Sequence, residues 1–244
     1  MQDKFFEISQ LGEKAILIDF LEKEKKLELE TILFYRNLLE DKLFESKVDV
    51  ISAFDSISII YHTTIENVYN EFSVIKLLLS KANIDKKNDY KIFQVPVCYH
   101  QEFAHDLSEI ASAKGITESE IMAAHCSAIY QINLIGFLPG FLYMKGLDKR
   151  LHFPRKKTPR KLVEKGSVGI AENQCGIYPN NSPGGWQILG RSPLIFFDKN
   201  CVPPTPFSAG DKIQFYKVTK TEFHKIEKSV SSNDFILKWE YENR

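Results

Sequence analysis

Gly176-Ile177-Tyr178-Pro179, followed closely by Ser182-Pro183-Gly184-Gly185-Trp186-Gln187-Ile188-Leu189-Gly190-Arg191, is the stretch of sequence that decides the fold. Short apolar segments typical of β-strands alternate here with glycine and proline, which favour turns. The same alternation extends on both sides, with β-type segments at 131–137, 167–171, 186–189 and 212–218. Short strands separated by such turns predict an antiparallel sheet or a barrel.

The use of glycine and proline changes near residue 90. All 10 prolines lie from Pro96 to Pro206, and all but one of the 12 glycines lie from Gly115 to Gly210. A polar, charged stretch at 80–89 precedes this change and has the composition of a linker. We therefore predict a domain at 1–88, a second at 91–220 and a C-terminal extension at 221–244.

The first domain is predicted to be a small α+β sandwich. Its pattern indicates a strand at 15–20, a helix over about 21–43, β-type segments over 48–61 and a second helix over 63–79. The second domain opens with a strand at 93–97 and a helix carrying Phe103, Leu107 and Ile110. Thr117, with Glu120 three residues later, is typical of a capping box at the start of another helix.

Composition excludes several classes of protein. Lys+Arg and Asp+Glu both total 32, so no net charge favours nucleic acid or a membrane surface as a partner. The N-terminus lacks a signal-peptide pattern and no apolar run reaches the roughly 20 residues of a membrane span, so we expect a cytoplasmic protein. The four cysteines are far apart, form no CxxC pair, and are expected to be reduced thiols.

The glycine- and proline-rich loops are the first candidates for chemistry. Glycine lets backbone approach a ligand and proline fixes loop shape, so these loops could form a rigid cradle of N–H groups or could only make tight turns. Arg160 and Arg191 are candidate anion ligands because a guanidinium matches carboxylate or phosphate. Lys156 and Lys157 are more typical of an ordinary solvated loop.

Other side chains leave two readings open. His125, at a predicted helix end, could act as an acid or base or could satisfy helix-end carbonyls. Tyr178 and Trp186 could form a flat wall for a ring or could be core aromatics. His100 and His105 lack the spacing of a metal site. The chain has no GxxxxGK[ST], GxGxxG or GxSxG sequence, which argues against ordinary phosphate-binding loops and a self-contained hydrolase triad.

Many short motifs also occur in a fixed order. They are Val97-Cys98-Tyr99, Glu102-Phe103, Asp106-Leu107, His125, Gly136-Phe137, Pro139-Gly140-Phe141, Gly146-Leu147-Asp148, Pro154-Arg155, Thr158-Pro159-Arg160, Gly166-Ser167-Val168, Gly176-Ile177-Tyr178-Pro179, Ser182-Pro183-Gly184-Gly185-Trp186 and Gly190-Arg191. Through them the chain resembles the family that contains the B subunit of 5-oxoprolinase (PxpB), KipI and allophanate hydrolase subunit 1. His100-Gln101 stands where the family has a glycine pair, and Leu142 where it has a proline.

This resemblance implies a cyclophilin-like β-barrel domain from about residue 91, after the small α+β domain. It implies a non-autonomous component of an ATP-dependent enzyme that opens 5-oxo-L-proline to L-glutamate. The partners would be a C subunit of the allophanate hydrolase subunit 2 type and an A subunit of the LamB/YcsF type. ATP would bind on this chain, at a shared site, or on a partner.

We combine the residues and the resemblance in a predicted site without a metal. The candidate catalytic residues are His125, Arg160 and Arg191. The candidate substrate-binding residues are Gly136, Pro139, Gly140, Arg155, Tyr178, Pro183, Gly184, Gly185 and Trp186.

Two rival functions belong to the same family. One branch inhibits a sporulation histidine kinase, which would need an exposed docking face. Another is the carboxyltransferase part of a biotin-dependent urea or amide carboxylase. Prolyl isomerase activity would follow from the cyclophilin-like fold alone, and fold does not imply function.

Overall fold

Residues 5–20, 27–43, 48–82 and 90–241 are described by a computed structural model. The chain divides into two units, Met1–Asn88 and Asp89–Arg244. A small α+β domain precedes a β-barrel domain, so the predicted fold class is confirmed.

The described residues of the first unit form a four-stranded antiparallel sheet with two helices. Its elements are β1 (Phe6–Leu11), β2 (Ala15–Phe20), α1 (Leu29–Lys42), β3 (Val48–Ser52), β4 (Ser56–Tyr61) and α2 (Val68–Lys81), and the strand order is β1-β2-β4-β3. Alternate residues of β2 and β4, such as Ile18 and Ile57, are buried and join Ile32 and Ile75 of the helices in one core. The helix predicted from residue 21 begins at Leu29, and 21–26 lie outside the described residues.

In the second unit, residues 90–241 form the barrel and three α-helices. Its elements are β5 (Lys91–Cys98), α3 (Leu107–Lys114), α4 (Glu118–Ser127), β6 (Ile129–Ile135), β7 (Leu142–Lys145), a 3-10 turn (Lys149–Leu151), β8 (Arg160–Val163), β9 (Ser167–Ala171), β10 (Gln174–Ile177), β11 (Ser182–Gly184), β12 (Gln187–Arg191), β13 (Lys212–Val218), α5 (Lys220–Ser231) and β14 (Trp239–Tyr241).

Seven of these strands close on themselves. They run in the order β12-β9-β10-β7-β6-β13-β5, and the pairing of Arg191 with Cys98 joins the last strand to the first. β5 and β13 pair in parallel, whereas their neighbours pair antiparallel. β14 extends the sheet at the start of β5, so the predicted C-terminal extension contributes a strand. Closure of this kind reduces the length of exposed strand edge.

Two features position the loops around the site. β8 and β11 form a separate two-stranded sheet in which Gly184 pairs with Arg160, so the 155–160 segment lies beside the 182–186 segment. The predicted capping box of Thr117 and Glu120 is present and starts α4. No helix within the described ranges is both long and apolar enough to cross a membrane.

Candidate functional site

A cavity of about 220 Å³ lies where the loop after β6 meets the segments before β8 and β12. The residues that line it are Phe137, Phe141, Tyr143, Arg155, Lys156, Pro159, Tyr178, Gly184, Gly185 and Trp186. We refer to it as the aromatic pocket.

The wall of the aromatic pocket is built from rings packed edge to face. The Phe141 ring centroid lies 5.0 Å from that of Tyr178 and 5.5 Å from that of Trp186, at interplanar angles of 85° and 79°. Tyr143 adds a further contact with Trp186 at 5.7 Å. These arrangements are the preferred geometry of aromatic pairs, so the wall is fixed before any ligand arrives. Burial raises the pKa of Tyr178 to about 12, which keeps its hydroxyl neutral at neutral pH.

Glycine is required at one side of this wall. A Cβ placed on Gly184 would lie 2.3 Å from the Tyr178 hydroxyl oxygen, a distance that real Cβ atoms essentially never show. At Gly185 the nearest atoms would be 3.7 Å away, which is ordinary contact. The ring of Tyr178 therefore occupies the space that a side chain at Gly184 would need.

Arg155 supplies a positive charge to the aromatic pocket. Its guanidinium carbon lies 5.7 Å from the centre of the Trp186 ring, within the range of a cation–π contact. No acidic side chain among the described residues forms an ion pair with Arg155. Its charge is therefore available for an anionic ligand.

The two other cations nearby are already paired. Asp106, whose side chain is 1% exposed, accepts from Lys156 Nζ at 2.8 Å and from Arg160 Nη2 at 2.5 Å. Its second oxygen accepts from the Ile188 backbone N–H at 2.6 Å. Lys156 Nζ also contacts Glu109 Oε2 at 3.1 Å, on the exposed side. Arg155 and Lys156 thus line the same cavity, but Lys156 is paired with carboxylates whereas Arg155 forms no ion pair with a described residue.

The structure gathers five of the nine predicted substrate-binding residues into the lining of the aromatic pocket. They are Arg155, Tyr178, Gly184, Gly185 and Trp186. Gly136, Pro139, Gly140 and Pro183 lie in the same loops but do not line the cavity. Gly140 has φ +84° and faces Phe197 so closely that a Cβ would lie 2.5 Å from its Cβ, so it shapes the loop.

The predicted catalytic residues lie at three separate places. Arg160 is beside the aromatic pocket, bound to Asp106 and 3.5 Å from the Trp186 carbonyl oxygen. Arg191 binds Glu164 at 2.6 Å and the Lys165 carbonyl at 2.9 Å, and its guanidinium lies over the Phe103 ring. Arg191 is not part of the cavity lining.

His125 lies inside the barrel and is fully buried. Its Nδ1 is 2.6 Å from the Tyr99 hydroxyl, its Nε2 is 3.6 Å from Cys175 Sγ, and its ring stacks on Phe215 with centroids 4.6 Å apart. Burial lowers the pKa of His125 to about 3, so the imidazole is neutral at neutral pH. This environment is that of a core histidine. The catalytic roles predicted for His125, Arg160 and Arg191 stay predictions.

Sequence reasoning missed five residues that line the cavity. They are Phe137, Phe141, Tyr143, Lys156 and Pro159. Phe137 and Phe141 stand in the Gly136–Phe141 motif, in which only the glycines and the proline are predicted to bind a ligand. The sequence around Lys156 is typical of a solvated loop, whereas its side chain is only 21% exposed.

A wider depression of about 400 Å³ lies elsewhere, lined by His152, Phe153, Pro154, Glu172 and Asn173. No lysine or arginine lines it. Within the described ranges there is also no group of three or more His, Cys, Asp or Glu side chains that could hold a metal ion. The aromatic pocket is therefore the better candidate for a small anionic ligand.

Comparison with known proteins agrees with this architecture. The family model "Carboxyltransferase domain, subdomain C and D" matches residues 6–207. The chain belongs to this family. The B subunit of 5-oxoprolinase from Bacillus subtilis (strain 168) is 32% identical over 229 residues, which cover 90% of this chain and 95% of the relative.

Two further matches differ in how much they cover. The B subunit of 5-oxoprolinase from Haemophilus influenzae is 46% identical over 122 residues, 50% of this chain and 57% of the relative. The crystal structure of K. lactis urea amidolyase has a TM-score of 0.80 at 20% identity and covers 97% of this chain but 16% of that one. The latter shows the shared fold alone. The predicted resemblance to the family of 5-oxoprolinase B subunits is confirmed.

Proposed function

We propose that this chain is the B subunit of an ATP-dependent 5-oxoprolinase and that its aromatic pocket holds 5-oxo-L-proline while the lactam is opened to L-glutamate. The observation that carries the proposal is the Arg155 guanidinium over Trp186 in a small aromatic cavity, with no acidic partner in the part of the chain that the structure describes. The names of the relatives support the same assembly.

The chemistry of the ligand matches the two kinds of surface in the pocket. 5-Oxo-L-proline has an apolar ring edge and one carboxylate. The edge-to-face rings of Phe141, Tyr178 and Trp186 provide a flat apolar surface for the ring. Arg155 provides a planar fork for the carboxylate, and the Lys156 side chain, which is paired with Asp106, lines the same cavity.

The size of the cavity supports a nucleotide site outside it. About 220 Å³ is below the roughly 300–1,000 Å³ of pockets for drug-sized ligands. A lactam fits this space, whereas a nucleoside triphosphate is far larger. In our proposal a partner protein supplies ATP across the mouth of the cavity, and the partners are the C and A subunits.

The proposed chemistry divides the reaction between the chains of the assembly. The lactam oxygen attacks the γ-phosphorus of ATP and ADP leaves, which gives a phosphorylated lactam. Water then adds at the lactam carbon on the third chain, and the ring C–N bond breaks as the nitrogen is protonated, which leaves an acyl phosphate. A second water hydrolyses this acyl phosphate to the carboxylate of glutamate and free phosphate. The residues of this chain bind and orient the lactam and keep its carboxylate paired while charge moves on the ring.

The test is turnover in a reconstituted assembly. The chain is purified together with its C- and A-type partners, and glutamate release from 5-oxo-L-proline is measured with and without ATP. Arg155→Gln should raise KM by about tenfold or more, because a hydrogen bond to a charged group contributes roughly 1.5–3 kcal/mol. Lys157→Gln is the matched control, since Lys157 lies in the same loop but does not line the pocket.

Two results would count against the proposal. One is an assembly that forms but releases no glutamate in the presence of ATP. The other is an equal KM for the Arg155→Gln and Lys157→Gln assemblies. Turnover that depends on biotin and bicarbonate would instead support the carboxyltransferase alternative.

A further inference from the structure

Asp106 is a buried carboxylate next to the aromatic pocket but outside its lining. It stands at the N-terminal end of α3, where an aspartate usually accepts a hydrogen bond from the first turn of its own helix. Its side chain makes no such cap. Both oxygens instead accept from groups far away in sequence, namely Lys156, Arg160 and the Ile188 N–H.

Lys156 lines the aromatic pocket, and Arg160 and Ile188 lie within two residues of the lining residues Pro159 and Trp186. The Lys156 N–H donates to the Gly185 carbonyl at 2.8 Å, and Arg160 Nη1 lies 3.5 Å from the Trp186 carbonyl oxygen. The Asp106 N–H in turn donates to the Ile188 carbonyl at 3.0 Å. The Asp106 carboxylate therefore connects the start of α3 to the 155–160 segment and to the 182–188 segment by hydrogen bonds.

The charge of Asp106 is maintained inside the protein. Burial alone would raise the pKa of Asp106, but the hydrogen bonds from Arg160, Lys156 and the Ile188 N–H outweigh it, so the pKa is below its ordinary value. A buried ion needs such partners, and removal of one partner leaves the others uncompensated. The cluster therefore fixes where both cations lie.

We propose that Asp106 is a positioning residue of the aromatic pocket, which holds Lys156 at the cavity wall and Arg160 against the Trp186 backbone so that the pocket is shaped for a small carboxylate. This inference rests on the proposed function for the identity of the ligand. Asp106 touches no ligand itself. Glu109, 60% exposed, is an auxiliary contact of Lys156 on the solvent side.

The first measurement needs no ligand. The hydrogen bond from Lys156 to Asp106 raises the pKa of Lys156 and leaves its amine less nucleophilic. Acetic anhydride labelling of the full chain, read residue by residue by mass spectrometry, should modify Lys156 several-fold more slowly than the neighbouring Lys157. Asp106→Asn should remove most of this protection, whereas Glu109→Gln should change it by less than about twofold, as expected for an exposed pair.

The second measurement is a double-mutant cycle on ligand binding. The chain has two tryptophans, so a Trp239→Phe background makes Trp186 emission a probe of the pocket. In that background Asp106→Asn should raise the Kd for 5-oxo-L-proline about tenfold, and Lys156→Gln by several-fold. If Asp106 acts through Lys156, the double variant should bind no more than about twofold more weakly than Asp106→Asn alone.

The outcomes separate this inference from the proposed function. Equal labelling of Lys156 in the wild type and Asp106→Asn, or effects of the two substitutions that multiply, would overturn the positioning role. If Asp106→Asn does not fold, equal labelling of Lys156 and Lys157 in the wild-type chain would overturn it as well. If the wild-type chain and its assembly fail to bind 5-oxo-L-proline while Asp106→Asn still exposes Lys156, the positioning of Lys156 stands and the proposed ligand is wrong.

Discussion

Gly184→Ala is the substitution whose effect the structure defines most sharply. The new Cβ would lie 2.3 Å from the Tyr178 hydroxyl oxygen and 2.7 Å from Cε1, whereas ordinary contact begins at 3.4 Å. The ring would have to shift by about 1 Å, but Tyr178 is 1% exposed and packed against Phe141. Overpacking of this kind costs about 1–3 kcal/mol of the free energy of unfolding.

Gly185→Ala is the matched control for this effect. It adds the same methyl group one residue later, where the nearest atoms are 3.7 Å away. Its free energy of unfolding should equal that of the wild type or exceed it by up to about 1 kcal/mol, because a tolerated Gly→Ala change lowers the entropy of the unfolded chain.

The free energy of unfolding of both variants can be measured by urea denaturation, with circular dichroism as the signal. Adding Tyr178→Phe to Gly184→Ala should restore part of the stability, since it removes the closest of the clashing atoms. A Gly184→Ala chain as stable as Gly185→Ala, or no gain from Tyr178→Phe, would refute the packing assigned to this wall.

Three other substitutions test separate parts of the account. His125 is protonated below its ordinary pKa of 6.5 in the unfolded chain but only near pH 3 in the folded chain, so its contribution to stability is complete above pH 6.5 and is lost as pH falls. Below pH 6.5 the free energy of unfolding should therefore drop by up to about 1.4 kcal/mol per pH unit. This part of the pH dependence should be missing in His125→Gln. Phe137 is 68% exposed and has φ +68°, so Phe137→Gly should change the free energy of unfolding by less than about 1 kcal/mol. It should nevertheless weaken the binding of 5-oxo-L-proline in a titration followed by Trp186 fluorescence. Unchanged binding would show that Phe137 does not belong to the site. Arg191→Gln breaks the contact with Glu164 and should lower the melting temperature. Turnover of the folded assembly within about twofold of the wild type would contradict the catalytic role predicted for Arg191, and a larger loss of turnover would support that role.

Local sequence patterns correctly predict several elements of the fold. Strands β9 and β13 occupy the predicted residues 167–171 and 212–218, and the capping box of Thr117 is present. Such elements depend on residues close together in the chain. β8 and β11 were not predicted, because strands as short as Ser182–Gly184 have no periodicity to detect.

The sequence predicts the parts of the candidate site whose backbone is fixed by glycine and proline. It does not predict side chains whose positions depend on partners that are distant in the chain. Trp186 and Gly184 come together through the loop that the motifs predicted. Lys156 has the local pattern of a surface lysine, and partners that are distant in the chain, Asp106 and Gly185 among them, hold it at the wall of the pocket. The position of His125 at a helix end gave no sign that barrel closure would bury it.

The most direct test of the central claim is a binding isotherm of 5-oxo-L-proline for the Trp239→Phe chain, read from Trp186 emission. We expect a saturable change, a Kd raised about tenfold or more by Arg155→Gln, and much weaker binding of 2-pyrrolidinone, which has the ring without the carboxylate. Equal affinities of the lactam for the chains with and without Arg155→Gln, or equal binding of the two ligands, would contradict the claim that this cavity recognises a carboxylated lactam.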